Sequence, residues 1–185
     1  MLHYRAWKAD AMEALNLIRT LAARPTMRSF TDRPVPLEVL TQIIEVARWT
    51  GSARNRQPWR FIAVCDKEHL RKLGALGAYV QHLASAPCAL VLLSADTGFQ
   101  DTEFDLGKVS QTVILAATAL GLGSCLATIY PEANVTKAAT LLRVENGWRP
   151  HHAISLSYPR VPMTGTRAIT TGRLSASELL STPRP

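Results

Sequence analysis

The chain has 185 residues, a formal net charge of +7 and an apolar fraction of 47%, values that fit one globular domain and exclude a largely disordered or fibrous chain. The charge comes from 16 arginines and 5 lysines spread along the sequence, and aromatic residues make up only 6%. Because nucleic-acid binders often show dense basic runs or aromatic residues on a basic face, nucleic-acid binding is kept only as an alternative that net charge supports.

Helical spacing of apolar residues and helix-initiating residues predict six helices. The first ends at Arg24-Pro25, because proline cannot continue the hydrogen-bond ladder. The longest is nearly apolar and is predicted to lie at the centre of the molecule, whereas the acidic segment Asp96–Asp105 before it is predicted to be exposed. The predicted helices span about 8–23, 36–50, 67–76, 79–85, 104–122 and 131–142.

Four short apolar runs are predicted to be strands, and they alternate with the helices. They span 61–65, 88–93, 124–130 and 153–158. After Pro159 the chain is predicted to be irregular and basic, with Arg160, Arg167 and Arg173 and with no acid between Glu145 and Glu178. The pattern predicts one α/β or α+β domain whose sheet is covered by helices.

The cysteines and the N-terminus indicate the cellular compartment of the protein. Cys65, Cys88 and Cys125 are far apart, form no CxxC motif and lie in or beside apolar runs, so each is predicted to be a small buried side chain. Three reduced thiols, no apolar signal core and no apolar run near the ~20 residues of a membrane span predict a cytoplasmic protein without a membrane partner. No spacing typical of a metal site occurs, and no metal is expected.

The segment Arg24-Pro25-Thr26-Met27-Arg28 has the chemistry of a phosphate site. A guanidinium group donates paired N–H groups that match phosphate oxygens, and here two arginines flank a threonine directly after a helix. Arg173, in the run without acids between Glu145 and Glu178, is a candidate second phosphate ligand. The polar loop at 52–57 runs directly into a strand and suits a flat heterocycle. The alternative is a solvated turn.

Other chemistries find little support. The GxG of Gly121-Leu122-Gly123 ends a helix instead of opening one, so it predicts a helix stop and not a dinucleotide site. His151 and His152 are adjacent and would point to opposite faces of a strand, which argues against a shared metal. No GxSxG elbow occurs, so hydrolase chemistry is not expected.

The motifs together resemble the nitroreductase family of FMN-dependent oxidoreductases. The resemblance rests on Arg24-x-Thr26-x-Arg28-x-Phe30, on Ser52-x-x-Asn55-x-Gln57-Pro58-Trp59, on Gln111 and on 119–124. It extends over about residues 12–175, which predicts a single domain at 1–185 with that core and with tails at 1–7 and 176–185. It implies an α+β three-layer sandwich in which helices flank a mixed, mostly antiparallel sheet.

The resemblance also implies a homodimer with one FMN at each of two interface sites. Arg24, Thr26, Arg28 and Arg173 would hold the phosphate and the flavin edge, and the loop at 52–57 would reach the flavin from the partner. Gln81 or His82 would meet the pyrimidine ring, and Thr128-Ile129 would lie near N5. The implied FMN-binding residues are Arg24, Pro25, Thr26, Arg28, Ser52, Ala53, Asn55, Gln57, Gln81, His82, Thr128, Ile129 and Arg173.

Three departures from the family pattern concern this site. Pro25 stands where a second basic residue is common, Thr128-Ile129 replaces a pair that usually ends in glycine, and a long insertion after the second strand is absent. The implied activity is hydride transfer from NAD(P)H through flavin N5 to a nitroaromatic, quinone or enone in a ping-pong mechanism, without a catalytic side chain. The alternatives are specialised flavin chemistry (flavin cleavage or reductive dehalogenation) and FMN storage or sensing without turnover.

Overall fold

A computed structural model describes the backbone of residues 2–160 and 172–183 and the side chains of residues 10–160 and 172–183. The helices are α1 (Leu2–Ala22), α2 (Leu37–Ala47), α3 (Lys67–Gly74), α4 (Asp101–Ala119), α5 (Glu132–Leu142) and α6 (Ala176–Leu179). The strands are β1 (Trp59–Val64), β2 (Cys88–Ala95), β3 (Gly123–Thr128) and β4 (Trp148–Ser157). Two short 3-10 helices span Ala53–Asn55 and Gln81–Ser85.

Strand β2 is covered on both faces of the sheet, because seven of its eight residues are buried. The sheet order is β1-β2-β4-β3, and all three strand pairs are antiparallel. Successive side chains point to opposite faces, so Leu90 and Leu92 pack with α2 and α4, and Ala89 and Val91 pack with α3 and α5. Helices therefore cover both faces of the sheet, and the predicted α+β sandwich is confirmed.

The long central helix begins earlier than predicted and is less apolar. Helix α4 starts at Asp101, with Asp101 and Glu103 in its first turn, where the N-terminal end of the helix dipole favours negative charge. The prediction that the acidic segment 96–105 is exposed is wrong at its end, because Asp105 is only 2% exposed. The cause is a pair of hydrogen-bond donors beside this carboxylate, the Ala53 N–H and Lys108 Nζ.

Two other expectations change. Strand β4 begins at Trp148, five positions before the predicted start, so His151 and His152 belong to the sheet. Of the three cysteines, Cys88 and Cys125 are buried as predicted, whereas Cys65 is exposed, because it lies just past the end of β1.

The terminal stretch after Pro159 is described in part. Arg160 donates from Nη2 to the Phe30 carbonyl (3.1 Å), whereas Arg167 lies outside the described residues. Helix α6 opens with a capping box in which the Ser175 hydroxyl accepts from the Glu178 N–H (3.4 Å) and the Glu178 carboxylate accepts from the Ser175 N–H (2.7 Å). The stretch is thus not wholly irregular.

Candidate functional site

The segment that follows α1 lies along the outer edge of the sheet. The Met27 N–H donates to the Ser124 carbonyl of β3 (2.9 Å), and the Met27 side chain is buried at 3% exposure. It packs against Gly123, where an added Cβ would lie 1.5 Å from Met27 Cε. Phe30 then pairs with Pro159 in an isolated antiparallel bridge. These contacts fix the positions of the flanking residues at 24–28.

A cavity of about 260 Å³, called pocket A, opens beside this segment. It brings together three of the predicted phosphate ligands, Arg24, Thr26 and Arg173, although Arg173 is about 150 positions from the other two. Helix α4 contributes Gln111 and Thr118, and no acidic residue is among the described residues that line the pocket. The lining residues are Leu21, Ala22, Arg24, Pro25, Thr26, Met27, Gln111, Ile114, Thr118, Gly121, Leu122, Gly123, Ser124, Leu126, Pro159 and Arg173.

A second cavity of about 400 Å³, called pocket B, contains Arg28. Its lining residues are Arg28, Ala78, Tyr79, Gln81, His82, Leu126 and Thr128. Leu126, which is 46% exposed, lines both pockets, so the two are neighbours across one apolar side chain. The predicted residues Arg28, Gln81, His82 and Thr128 are therefore together, and their pocket adjoins the one that holds Arg24, Thr26 and Arg173.

His82, which lines pocket B, carries an unsatisfied polar atom. Its Nε2 is buried and has no hydrogen-bond partner among the described residues. Burial lowers the pKa of His82 below its usual 6.5, and the positive charge of Arg28 lowers it further. The imidazole is accordingly neutral at pH 7, with one ring nitrogen that donates a hydrogen bond and one that accepts.

Thr128 and Ile129, predicted to lie near the flavin ring, have different environments. Thr128 is exposed, lines pocket B and has its hydroxyl 3.3 Å from His152 Nδ1. Ile129 is 2% exposed, and its side chain belongs to the core. Its N–H donates to the His151 carbonyl (2.8 Å). The Ile129 side chain therefore does not line either pocket in this chain.

The loop at 52–57 has an unusual backbone. Arg54, Asn55 and Gln57 have φ values of 51°, 54° and 49°, in a region that non-glycine residues rarely adopt and that costs energy. The Ser52 hydroxyl accepts from the Gln57 N–H (2.9 Å), and Gln57 Nε2 donates to Asn55 Oδ1 (3.1 Å). None of these residues lines pocket A or B in the single chain.

Two acidic side chains of α4 hold this loop. Asp105 accepts from the Ala53 N–H (2.9 Å) and from Lys108 Nζ (3.0 Å), and Asp101 pairs with Arg56. Burial alone would raise the pKa of Asp105, but the Ala53 and Lys108 hydrogen bonds and the charge of Arg56 outweigh burial and hold it below its usual value. The carboxylate is therefore charged at neutral pH, and it fixes a strained loop to a rigid helix.

Some residues of these pockets and their supports were not predicted from the sequence. Leu126 and Tyr79 line pocket B, and Asp105 anchors the loop at 52–57. The available signal for Asp105 was a carboxylate one turn inside a helix whose following turns are mostly apolar. Leu126 had no such signal, because a leucine in a strand is usually a core residue.

Within residues 10–160 and 172–183, no group of three or more His, Cys, Asp and Glu side chains could hold a metal ion. No helix in the described part of the chain combines the length and the apolar character that crossing a membrane requires.

Comparison with solved structures identifies the fold. A nitroreductase family protein from Streptococcus pneumoniae TIGR4 superposes with a TM-score of 0.74 at 22% identity, covering 91% of this chain and 99% of that one. A structure described as an FMN-dependent nitroreductase from Clostridium difficile R20291 gives a TM-score of 0.71 at 24% identity, covering 87% and 93%. The fold is thus that of nitroreductases.

Comparison of sequences identifies the family. The model of the nitroreductase family matches residues 21–78 and 75–158. A protein of Methanothermobacter thermautotrophicus named "Putative NADH dehydrogenase/NAD(P)H nitroreductase" is 31% identical over 156 residues, 82% of this chain and 80% of that protein. The "FMN reductase [NAD(P)H]" of Bacillus subtilis is 28% identical over 63% of this chain and 49% of its own length. The chain belongs to the nitroreductase family and is an oxidoreductase of that family, as its motifs predicted.

Proposed function

We propose that this protein is an FMN-dependent reductase that oxidises NAD(P)H and reduces an electron-poor acceptor in a ping-pong mechanism. The single observation that carries the proposal is the pair of adjoining pockets, each lined by arginine and, among the described residues, by no acid. A flavin mononucleotide has a phosphate at one end and a polar ring edge at the other, and the two pockets offer donors suited to each.

The residues of pocket A fit the phosphate end. Arg24 and Arg173 supply guanidinium groups and Thr26 a hydroxyl, and charge-assisted hydrogen bonds of this kind are about twice as strong as neutral ones. Pro25 has no N–H to donate, so the binding of the phosphate depends more heavily on the flanking side chains.

The residues of pocket B fit the ring end. The Nε2 of His82 has no hydrogen-bond partner in the part of the chain that the structure describes, and a buried group of this kind is stabilised when a ligand completes its hydrogen bonding. Gln81 and Thr128 add polar groups to the same rim. Arg28 supplies positive charge, which favours an electron-rich ring over a neutral one.

FMN supplies hydride chemistry when it is bound, accepting from NAD(P)H and delivering to the acceptor. The side chains of this protein then have three tasks: they bind the phosphate, hold the ring edge and, through Leu126, provide an apolar surface between the two. No residue of the protein is assigned as an acid or base catalyst. Nitroaromatics, quinones and enones are the proposed acceptor classes.

We further propose that the active form is a cytoplasmic homodimer with two FMN sites. The loop at 52–57 is held rigidly by Asp105 and Asp101, yet it lines neither pocket of its own chain. A strained loop that is fixed in place has a use if it meets a ligand in a second chain, where Ser52, Ala53, Asn55 and Gln57 would contact the flavin.

The test is a visible absorption spectrum of the purified protein, recorded before and after anaerobic addition of NADPH. We expect a flavin spectrum that bleaches with NADPH and returns when a quinone is added. A protein that stays colourless in the presence of added FMN would overturn the proposal. Bound flavin without NADPH oxidation by any acceptor would favour storage or sensing, and bleaching without steady quinone turnover would favour specialised flavin chemistry.

A further inference from the structure

The thiols of Cys65 and Cys88 lie next to one another. Their Sγ atoms are 3.0 Å apart, although the residues are separated by 23 positions. Cys65 is exposed and Cys88 is fully buried. Cys125, the third cysteine, is buried in β3. One thiol of the pair is therefore open to solvent, and the other is reached through it.

The strand register shows that the backbone geometry also suits a cross-link. Val64 of β1 pairs with Ala89 of β2, so Cys65 and Cys88 occupy the next pair of positions. The Ala95 N–H donates to the Pro58 carbonyl (3.0 Å) at the other end of the same ladder. Hydrogen-bonded and non-hydrogen-bonded pairs alternate in an antiparallel ladder, which makes the pair at 65 and 88, seven steps further on, non-hydrogen-bonded.

The position of the pair decides whether a disulfide can form. Residues in a non-hydrogen-bonded pair have Cα atoms about 4.5 Å apart, and disulfides span Cα separations of about 4.4–6.8 Å. The backbone is thus already at a distance that the cross-link accepts, and the two sulfur atoms need to approach one another by only about 1 Å to reach the ~2.05 Å of a bond.

We propose that Cys65 and Cys88 are a dithiol that is reversibly oxidised to a disulfide by low-molecular-weight disulfides. The Cys65 thiolate attacks one sulfur of the oxidant and expels one small thiol, which gives a mixed disulfide. Cys88 then loses its proton, attacks the Cys65 sulfur and expels the second small thiol. The two protein thiols together lose two electrons and two protons. The small disulfide takes up both and is reduced to two thiols.

The environments of the two thiols set the order of these steps. Burial raises the pKa of the Cys88 thiol, and the neighbouring Cys65 raises it further. Cys88 therefore stays protonated and hidden until a mixed disulfide on Cys65 presents an electrophilic sulfur beside it. Exposed Cys65 is the point of entry.

The cross-link would close a loop that contains α3 and the 3-10 helix Gln81–Ser85. That loop carries Gln81 and His82, which line pocket B. Closing it restricts the unfolded chain, so the oxidised protein should melt at a temperature higher by roughly 5–10 °C. Oxidation would thus stabilise the segment that contributes to the candidate site.

The test incubates the purified full-length protein with oxidised glutathione, unfolds it and alkylates the remaining thiols. The chain has three cysteines, so we expect oxidised protein to take one label, reduced protein to take three, and a non-reduced digest to contain a peptide joining Cys65 to Cys88. Dithiothreitol should restore all three labels and the lower melting temperature.

Three variants serve as controls. Cys125→Ala should form the same cross-link, Cys88→Ala should retain one glutathionyl group on Cys65, and Cys65→Ser should form no cross-link and show no rise in melting temperature. Wild-type protein that keeps three labels, or that holds glutathionyl on Cys65 without the joined peptide, would overturn the proposal. If Cys88→Ala does not fold, the wild-type digest and the variant at exposed Cys65 still decide the question.

Discussion

Arg24 is the residue whose side chain the proposed phosphate site depends on most, because Pro25 contributes no charge beside it. Replacing Arg24 with alanine should weaken FMN binding by roughly 10- to 100-fold, since a charge-assisted hydrogen bond contributes about 1.5–3 kcal/mol. The loss of affinity should be larger at low salt than at high salt, because salt screens the attraction between the Arg24 guanidinium and the phosphate in the wild-type protein. Fluorescence titration of FMN at two salt concentrations measures both effects.

The matched control is Arg71→Ala, which removes an exposed arginine of α3 that lines neither pocket. It has the same effect on net charge and should leave the dissociation constant almost unchanged. Equal weakening in both variants would mean that general charge, and not pocket A, attracts the ligand.

His82 makes the stability of the protein depend on pH. Its pKa is lowered in the folded state by burial, so between the lowered value and 6.5 the unfolded chain binds a proton that the folded chain does not. The contribution of His82 is fully present above pH 6.5 and is lost as the pH falls below it. The pKa values of His151 and His152 are lowered by burial in the same direction.

The variant His82→Gln should therefore lose less stability than wild type between pH 7 and pH 5. His151 and His152 remain, so its stability should still fall, but less steeply. Urea unfolding at a series of pH values gives the two slopes. Parallel profiles for the two proteins would contradict the prediction.

At the scale of elements, Gly123 fixes the packing of the segment 24–28 against β3. A Cβ at this position would lie 2.9 Å from Met27 Sδ and 3.2 Å from Met27 Cβ, so Gly123→Ala should displace the buried methionine. We expect a loss of about 1–3 kcal/mol in the free energy of unfolding, as for other overpacked sites, together with weaker FMN binding.

Gly107 provides the control for that substitution. It lies inside α4, and an added Cβ would meet nothing within 4 Å. Gly107→Ala should stabilise the protein by about 0.5–1 kcal/mol, because alanine favours the helix and restricts the unfolded chain. Denaturant unfolding of both variants checks the two opposite signs, and a Gly123→Ala protein as stable as wild type would contradict the packing argument.

Asp105 connects α4 to the loop at 52–57. Asp105→Asn keeps the shape of the side chain but removes its charge and turns one acceptor into a donor, so it cannot satisfy both the Ala53 N–H and Lys108. The free energy of unfolding should fall by about 1–3 kcal/mol, and FMN should be retained less well if the loop meets the flavin.

Asp10→Asn, at an exposed position of α1, serves as the control and should change neither quantity. Denaturant unfolding and gel filtration of the FMN-loaded protein measure them. Normal stability in the Asp105 variant would show that the loop does not need its anchor.

The elements themselves could be predicted from the sequence more readily than their ends. Proline at 25 and 36 and the apolar stripes placed α2, α5 and the end of α1 close to their observed bounds. Helix α1, however, begins at Leu2, six positions before its predicted start at about residue 8. The acids between 101 and 105 indicated a polar, exposed segment. In the structure Asp101 and Glu103 belong to the first turn of α4, and Asp105 is a buried anchor. The capping box of Ser175 and Glu178 has a local signature that the basic character of the stretch obscured.

At the scale of the whole molecule, the exposed apolar residues of α1 bear on assembly. Met12, Leu15 and Ile18 are 52%, 58% and 57% exposed and recur at the spacing of one helix face. We expect a homodimer, which sedimentation should detect as a species of twice the 20.3 kDa chain mass. The double variant Leu15→Lys/Ile18→Lys should shift the protein toward monomer and reduce FMN retention.

Glu13→Lys places a lysine on the same helix at an exposed polar position and should leave the sedimentation of the dimer unchanged. A wild-type protein that sediments as one chain would contradict the assembly, and a monomeric double variant that still retains FMN would contradict a site shared between chains.

The candidate site could be predicted from the sequence where its residues are close together, as at 24–28. The basic composition around Arg173 indicated a second phosphate ligand, and the resemblance to the nitroreductase family supported it and supplied the residues at 81–82. Leu126 could not be found in this way, because its exposure depends on β3 being the last described strand of the sheet. The proposed role of the loop at 52–57 would depend on a second chain, which no local pattern describes.

The last strand of a sheet carries a further risk. Within the described residues, β3 is such a strand, and its outer side presents backbone groups to which another extended chain can add. The Met27 N–H occupies one of these groups at Ser124, so the stretch that holds Arg24 and Arg28 also shields an edge. Ligand recognition and resistance to self-association thus fall on the same few residues. A substitution that detaches this stretch from β3 would have two effects. It would weaken the candidate site, and it would expose a strand edge that promotes aggregation.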